Sequence, residues 1–509
     1  MCASLRTGDT QTPYLKLALL TVSAVAVQGY HLGADDAAIY VPGIKKVADP
    51  QLYPFGAEFF QTHARLTLFP DLVGSTARIT HMPIDQAIFG AHLAGMLILM
   101  LASWRLLCAC FENSWARWGG LGLLAGALSV PVAGTALAIA DPYVTSRTFS
   151  TPLTILAIAC FISRQRKWAA LWWMLTALIH PQMGFYCGVF LAFLAVADSN
   201  VLARLRSLAS AEPAYLAGLP FLFALQPGSE AARRALLSRP YFLLSHWAWY
   251  EWLGILAPVA LLWWFAAANP RGTKASFRLL ARTLPPFALV FTLAGLVLLD
   301  PALENFTRTQ PMRSLHLLYL VFFLLLGGLL GEYVLRHNTW RWLALFLPLA
   351  ASMWLLQRSV YPASAHVEWY DSNGGSNPWT SAFLWIRHHT PKDAVFALDP
   401  YYMTAPGEDM HGFRAVAERS VLADAVKDSG AVSLFPQLAE HWDRQVRVLD
   451  DWNHLELADF ERIERLYPVT WIVAHQPPPL GLTCPYQNQT LSVCQLPAIA
   501  GASRDFNDD

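Results

Sequence analysis

Apolar segments of membrane-spanning length recur through the first 357 residues, and they constrain the fold more than any other feature of the sequence. The hydrocarbon core of a bilayer is about 30 Å thick, so a helix that crosses it needs about 20 mostly apolar residues. Shorter segments suffice inside a bundle of helices. Eleven segments qualify, near residues 15–31, 86–107, 119–140, 150–163, 168–181, 183–197, 213–226, 247–268, 284–300, 314–331 and 341–357. The sequence therefore predicts a polytopic α-helical membrane protein with about eleven spans, and a cleavable signal peptide is the alternative for the first segment.

The density of charged side chains divides the chain near residue 358. Charged residues make up 14% of the whole sequence, against about a quarter in soluble domains. The residues from 358 onward nevertheless hold 11 basic and 20 acidic side chains, so charge density nearly doubles there. This pattern predicts a transmembrane domain over 1–357, a linker over 358–376 and a soluble domain over 377–509. Helix-like and strand-like stretches in the last part predict an α/β or α+β fold.

The positions of Lys and Arg predict the orientation in the membrane. Connections on the side of the N-terminus carry 15 basic and 5 acidic residues, whereas the opposite connections carry 10 basic and 11 acidic ones. Basic loops are retained in the cytoplasm, so the N-terminus is predicted inside and the soluble domain outside. The overall net charge of zero excludes a strongly basic nucleic-acid-binding protein.

The first outer loop, residues 32–85, is too long to be a simple connection. Apolar clusters alternate in it with Pro42, Pro50, Pro54 and Pro70. This patterning predicts one or two short amphipathic helices that lie in the membrane interface.

Three aspartates at the predicted outer ends of helices are the first candidates for catalysis. Asp35 and Asp36 directly follow the first segment, and Asp141 directly follows the third. Two adjacent carboxylates at a membrane edge can supply a general base and an orienting or metal-binding partner, because repulsion and partial burial favour protonation of one of them. The alternative for the pair is a helix cap in the polar interface, and for Asp141 it is a helix end followed by a turn.

Four cationic or imidazole side chains on the same predicted side are candidate phosphate ligands. Arg147 follows Asp141, Arg308 and Arg313 precede the tenth segment, and His180 interrupts an apolar run. Guanidinium groups bind phosphate oxygens in pairs, and a lipid phosphate lies at this depth. A polar break in an apolar run often lines a cavity. The alternatives are contact with ordinary phospholipid headgroups for the arginines and a hydrogen-bonded bend for His180.

Two cysteines, Cys484 and Cys494, lie in the predicted soluble domain on either side of a turn with strand-like flanks. They are predicted to form a disulfide across a hairpin in an oxidising compartment, with two unpaired thiols as the alternative. The sequence contains no phosphate loop with a Lys, no His-Glu-x-x-His and no Gly-x-Ser-x-Gly. Nucleotide hydrolysis, zinc proteolysis and serine-hydrolase chemistry are therefore disfavoured.

This arrangement resembles the GT-C superfamily of integral membrane glycosyltransferases. The resemblance rests on the acidic pair Asp35-Asp36 after the first helix, the long first outer loop, Asp141 in the second outer loop and the outer C-terminal domain. The start of that domain is similar to uncharacterised bacterial relatives of these enzymes. The similar stretches are Ala382–Phe396, Phe413-Arg414, Glu418-Arg419-Ser420 and Lys427-Asp428.

The resemblance implies transfer of a hexosyl or pentosyl group from a polyprenyl-phosphate-linked donor to an acceptor at the outer face of the membrane. It implies Asp35 or Asp36 as the general base, Asp141 as the second acidic residue, and Arg308 and Arg313 as ligands of the donor phosphate. A divalent cation, Mg²⁺ or Mn²⁺, bridging Asp36 and Asp141 is an option in this superfamily.

Membrane lipids are expected partners and nucleic acid is not. The expected location is a bacterial inner membrane with a periplasmic C-terminal domain, since the tail is similar to bacterial sequences. Two other functions remain open, a lipid or solute transporter and a non-catalytic envelope assembly protein whose soluble domain binds a partner.

Overall fold

A computed structural model describes residues 13–198, 229–368 and 377–497 of the chain. The predicted seventh segment, 213–226, and the end of the predicted linker, 369–376, lie outside the described residues. The helices before residue 361 are α1 Tyr14–Gln28, α2 Ala37–Ala48, α3 Glu58–Ala64, α4 Phe69–Thr80, α5 Ile84–Cys110, α6 Ser114–Gly126, α7 Arg147–Ile162, α8 Arg166–Ile179, α9 Pro181–Asp198, α10 Glu230–Leu237, α11 Trp249–Ala268, α12 Ala275–Val297, α13 Leu315–Leu330 and α14 Thr339–Val360.

Long apolar helices confirm that the chain is a multi-pass membrane protein. Within the described ranges, six helical stretches are long and apolar enough to cross a bilayer, and α1 and α7 are shorter apolar helices. The six stretches are Ile84–Cys110, Pro181–Asp198, Trp249–Ala268, Ala275–Val297, Leu303–Leu335 and Thr339–Val360. The total of eleven spans and the inside–outside orientation stay predictions.

Glycines allow helices α6 and α13 to pack with their backbones in contact. A Cβ atom built on Gly119 of α6 would lie 2.5 Å from the carbonyl oxygen of Gly327 in α13. A Cβ on Gly327 would lie 2.6 Å from the carbonyl oxygen of Gly119. Small residues at helix interfaces allow this approach in membranes, where van der Waals packing replaces the hydrophobic effect between helices.

The third predicted span, 119–140, is wrong in its second half. Helix α6 ends at Gly126, and residues 127–146 form irregular, largely buried backbone. Pro131 lacks the N–H group that a continuing helix needs, and Ala133 and Ala136 have positive φ. The segment satisfies part of its backbone internally, because the N–H of Val132 donates to Leu137 O at 2.7 Å. This irregular segment positions Asp141.

The long loop over 32–85 folds into three helices, α2 to α4, rather than the one or two predicted. Helix α4 is amphipathic: Phe69 and Val73 are buried, whereas Asp71, Thr76 and Arg78 are exposed. Its pattern matches the predicted interfacial helix.

The C-terminal region contains a small mixed sheet covered by short helices. Its elements are α15 Pro378–His389, β1 Val395–Leu398, α16 Phe413–Ala417, β2 Ser420–Val421, α17 Asp428–Leu434, α18 Ala439–Val448, α19 Leu457–Leu466, β3 Trp471–His475, β4 Thr483–Gln487 and β5 Leu491–Gln495. The strand order is β2-β1-β3-β5-β4, in which β1 pairs in parallel with β2 and β3 and β5 pairs antiparallel with β3 and β4. The predicted disulfide is confirmed, because Cys484 and Cys494 are bonded across the β4–β5 hairpin.

The C-terminal region packs directly on the long loop. Lys45 of α2 forms ion pairs of 2.9 Å with Asp85 and 2.8 Å with Glu418. Arg387 of α15 contacts the same two carboxylates at 2.7 and 2.9 Å. The hydroxyl of Tyr53 donates to Arg414 O at 2.8 Å. These contacts hold the loop and the C-terminal region together.

A buried ion pair joins the end of α1 to the C-terminal region. Nε2 of His411 lies 2.9 Å from both carboxylate oxygens of Glu368, and His31 Nδ1 lies 3.5 Å from the same carboxylate. Burial alone would raise the pKa of Glu368, but His411 and His31 lower it to about 2. Burial would lower the pKa of His411, but Glu368 raises it to about 9.

This pair predicts a stability that depends on pH. A histidine whose folded pKa is raised from 6.5 to about 9 stabilises the fold below pH 6.5, and this stabilisation is lost as the pH rises to about 9. The loss is about 3 kcal/mol for a shift of this size. Glu408, whose pKa burial raises, acts in the same direction. Thermal unfolding in detergent between pH 6.5 and 9 should therefore show a falling Tm.

The variant His411→Gln should flatten that slope, whereas His454→Gln, at an exposed histidine, should leave it unchanged. Equal slopes in His411→Gln and the unmodified protein would contradict this assignment.

Candidate active site

The structure brings Asp36 and Asp141 together through one arginine. Nη2 of Arg147 lies 3.0 Å from Asp36 Oδ2, and Nε of the same guanidinium lies 2.9 Å from Asp141 Oδ2. The hydroxyl of Thr145 also donates to Asp141 Oδ2 at 3.0 Å. Arg147 is the first residue of α7 and its side chain is 5% exposed. Two loops that are far apart in the sequence are thereby joined by one buried cation.

Asp35 is the carboxylate of the three that is most open to solvent. Its side chain is 35% exposed, against 24% for Asp36 and 6% for Asp141. Its backbone has a φ of +50° and its N–H donates to Met410 O at 2.8 Å. The hydroxyl of Tyr143 donates to Asp35 Oδ2 at 2.9 Å. A strained backbone at an accessible carboxylate is a common feature of functional sites.

A lysine from the C-terminal region completes this group. Lys427 forms ion pairs with Asp35 and, at 3.1 Å, with Asp36. Its side chain is 8% exposed. Burial lowers the pKa of Lys427, but the two aspartates raise it well above its usual value, so the amine is charged at neutral pH.

The surroundings shift the pKa values of Asp36 and Asp141 in opposite directions. Burial raises the pKa of Asp36, but Lys427, Arg147 and Arg313 lower it well below its usual range. The pKa of Asp141 is raised, because burial outweighs the charge of Arg147. Asp36 therefore stays ionised at neutral pH and holds the cations in place. Such opposite shifts in pKa are typical of sites in which two neighbouring carboxyl groups have different chemical roles.

Cationic and imidazole groups lie beside the aspartates. Arg313 acts electrostatically on Asp36, and His180 is within the electrostatic reach of Arg313 and Arg147. Arg313 Nε and His180 Nε2 are buried and have no hydrogen-bond partner among the described residues. His316 of α13 lines two small cavities, about 20 Å³ next to Asp141 and Arg147 and about 10 Å³ next to Arg313. Nε of Arg313 and Nε2 of His180 can donate hydrogen bonds to an anion that enters the site.

Arg308 is not brought to this group. It lies in the 3₁₀ segment Pro301–Thr309 and forms no ion pair with any residue that the structure describes. Arg313, in contrast, is one of the main charges that lower the pKa of Asp36. The two arginines were equivalent in the sequence, and the turn at Gln310, with a φ of +52°, separates them in space.

A divalent ion bridging Asp36 and Asp141 does not fit the donors as they are arranged. The guanidinium of Arg147 occupies the position between the two carboxylates that such an ion would need. Within the described ranges, no group of three or more His, Cys, Asp or Glu side chains is placed to hold a metal ion.

Lys427, Tyr143 and Thr145 are site residues that the sequence did not single out as such. Tyr143 and Thr145 belong to the short stretch between Asp141 and Arg147, and their position beside two candidate residues was a usable signal. Lys427 is 392 residues from Asp35, so local sequence gives no indication of the contact.

His63 also lies nearby. Burial lowers its pKa to about 4, so it is neutral and its Nε2 lies 2.9 Å from the hydroxyl of Tyr40.

Comparison with known proteins finds a distant structural likeness. No protein-family model matches the sequence, and no curated protein matches it significantly. Among solved structures, the chain is similar to the archaeal oligosaccharyltransferase AglB from Archaeoglobus fulgidus, in complex with an inhibitory peptide and a dolichol-phosphate. The two sequences are 11% identical, the TM-score is 0.35, and the match covers 91% of this chain and 69% of that chain. A likeness at this level carries no argument about activity, so function has to be inferred from the contacts of the site.

Proposed function

We propose that the chain is a GT-C-type membrane glycosyltransferase that moves a hexosyl or pentosyl group from a polyprenyl-phosphate-linked donor to an acceptor hydroxyl. We place this reaction at the outer face of a bacterial inner membrane. One observation carries the proposal: Asp35, Asp36, Asp141, Arg147 and Lys427 come from separate parts of the chain and form one ion-paired group. Grouping this many charges at the ends of apolar helices is costly, so it favours a functional role over a set of unrelated helix caps.

Asp35 is the proposed general base. It is the most exposed of the three carboxylates, so it is the one that an acceptor hydroxyl can reach. Asp36 and Asp141 are instead engaged by Arg147, and we assign that arginine to positioning the acidic residues rather than to the donor. A base takes the acceptor proton as the new glycosidic bond forms, and such transfer contributes about 10² to 10⁴ in rate.

Arg313 and His180 are the proposed ligands of the donor phosphate. The glycosidic bond to the phosphate breaks as the acceptor attacks, and negative charge develops on the departing oxygen. Nε of Arg313 and Nε2 of His180, which have no hydrogen-bond partner among the described residues, would supply donors to the phosphate. Donors fixed in place before the reaction stabilise developing charge most effectively. The proposed mechanism includes no metal-dependent step.

The direct test is a transfer assay with the purified protein in proteoliposomes. Polyprenyl-phosphate-linked hexose and pentose donors, each with a labelled sugar, are offered with lipid, glycan and peptide acceptors. Transfer that depends on Asp35 supports the proposal. Flux of the labelled lipid without sugar transfer would favour a transporter. A cellular phenotype that survives loss of all three aspartates but vanishes on deletion of 377–509 would favour an assembly protein.

Substitution of Arg313 tests the proposed phosphate contact. The variant Arg313→Gln keeps a hydrogen-bond donor but removes the charge, and we expect KM for the donor to rise by about 10-fold to 100-fold. Arg308→Gln is the matched control from the same connection, and it should leave KM unchanged. Equal effects of the two substitutions would mean that general attraction to the membrane surface, and not a defined phosphate contact, explains the arginines.

A further inference from the structure

Lys427 connects the C-terminal region to the proposed catalytic carboxylates. It contacts both members of the Asp35-Asp36 pair from a domain that the membrane helices do not include. The exposed fraction of its side chain is only 8%, so the amine is buried between the C-terminal region and the loop that carries the two aspartates. A buried ammonium group carries a large desolvation cost unless it is paired, and here the two aspartates pair with it.

The backbone around Lys427 is held by a network that fixes the direction of the side chain. Asp424 Oδ1 accepts the N–H groups of Val426, Lys427 and Asp428. The carboxylate of Asp428 in turn binds Arg414, with both oxygens 2.9 Å from Nη1. A lysine on an unsupported surface loop can extend into solvent. The hydrogen bonds around Lys427 therefore favour a role for its side chain in the site.

Asp35 has contacts on both of its carboxylate oxygens in this arrangement. Tyr143 donates to Oδ2 and Lys427 donates to Oδ1. A carboxylate has about four lone-pair sites, so the oxygens of Asp35 can still accept a hydrogen bond from the acceptor hydroxyl while these two donors hold the group in place. Lys427 also contacts Asp36 at 3.1 Å, so it fixes the two carboxylates relative to each other.

We propose that Lys427 is a positioning residue through which the C-terminal region completes the site, orienting Asp35 and Asp36 for the acceptor hydroxyl. This inference rests on the proposed function. It predicts that the transmembrane part alone, without the C-terminal region docked on the long loop, has a disordered carboxylate pair and little activity.

The contact itself can be tested without any substrate. The full-length protein in detergent is treated with an amine-acetylating reagent at pH 8, and the modified lysines are quantified by mass spectrometry. Lys427 should be protected, and Lys392, which pairs with Asp49 but is 55% exposed, should react. In the double variant Asp35→Asn/Asp36→Asn, Lys427 should become reactive while Lys392 does not change. Reaction of Lys427 as fast as Lys392 in the unmodified protein would overturn the inference.

The functional consequence is tested with Lys427→Met and its matched control Lys392→Met. We expect Lys427→Met to lower kcat by about 10-fold to 100-fold, the cost of misplacing reacting groups by about 1 Å. Lys427→Arg should recover part of this loss. Activity also requires ionised Asp36, which holds the cations in place, and Lys427 lowers the pKa of Asp36. Removal of Lys427 should therefore also move the acid limb of the pH profile of kcat/KM to higher pH.

Lys392→Met should change neither kcat nor the pH profile. A Lys427→Met variant with an unchanged kcat and an unchanged acid limb would overturn the positioning role. Failure of the proposed function is distinguishable, because the unmodified protein would then transfer no sugar while Lys427 was still protected from acetylation.

Discussion

Replacement of Asp35 by asparagine is expected to lower kcat for sugar transfer by about 10² to 10⁴-fold, the range that a general base contributes. The amide keeps the size of the side chain and can still pair with Tyr143, but it takes up no proton. Expression and thermal stability should change little, because Asp35 is the most exposed of the three aspartates and Lys427 keeps its ion pair with Asp36. The measurement is the initial rate of transfer at saturating donor in proteoliposomes.

Asp49→Asn provides the control for Asp35→Asn. Asp49 lies at the end of α2 in the same long loop and also pairs with a lysine of the C-terminal region, Lys392, at 2.6 Å. Its substitution should leave the rate unchanged. If Asp35→Asn keeps full activity and Asp36→Asn loses most of it, the general base is Asp36 and not Asp35. Full activity in both variants would refute carboxylate catalysis at this site.

Replacement of Arg147 by methionine is expected to cost about 3 to 5 kcal/mol of stability, because it leaves the buried Asp141 without an ion-pair partner and removes one of the two cations that contact Asp36. The second change Asp141→Asn should restore part of the lost stability but no activity. Thermal unfolding followed by tryptophan fluorescence measures the first effect, and the transfer assay measures the second.

The control for Arg147→Met is Arg233→Met. Arg233 forms a similar ion pair with Glu304 at 3.0 Å, but its side chain is 63% exposed. Exposed pairs of this kind contribute at most about 1 kcal/mol. Similar losses of stability in the two arginine variants would show that Arg147 is not the buried partner of both carboxylates.

The sequence predicted most helices of the membrane part within a few residues. The second predicted span, 86–107, corresponds to helix Ile84–Cys110, and the last, 341–357, corresponds to Thr339–Val360. Hydropathy determines these boundaries because a charged residue inside the bilayer is costly. The third span failed for a local reason, since α6 ends at Gly126 and Pro131 disfavours its continuation, although the segment remains largely buried.

The candidate site was only partly predictable. Asp35, Asp36 and Asp141 were found because polar residues directly after apolar segments stand out in a membrane protein. The contact of Arg147 with both Asp36 and Asp141 depends on how two loops approach each other, which no local pattern encodes. Lys427 depends on the docking of the whole C-terminal region, and the choice of Arg313 over Arg308 depends on one turn.

The separation of Asp35 and Lys427 by 392 residues has a consequence for biogenesis. At about 5 to 20 residues per second, a ribosome needs roughly 20 to 80 s to make the chain between them. During that interval the nascent protein already holds its acidic pair but not the lysine that neutralises it. A chain truncated before residue 427 is therefore expected to lack a working site, because its acidic pair has no lysine to position it.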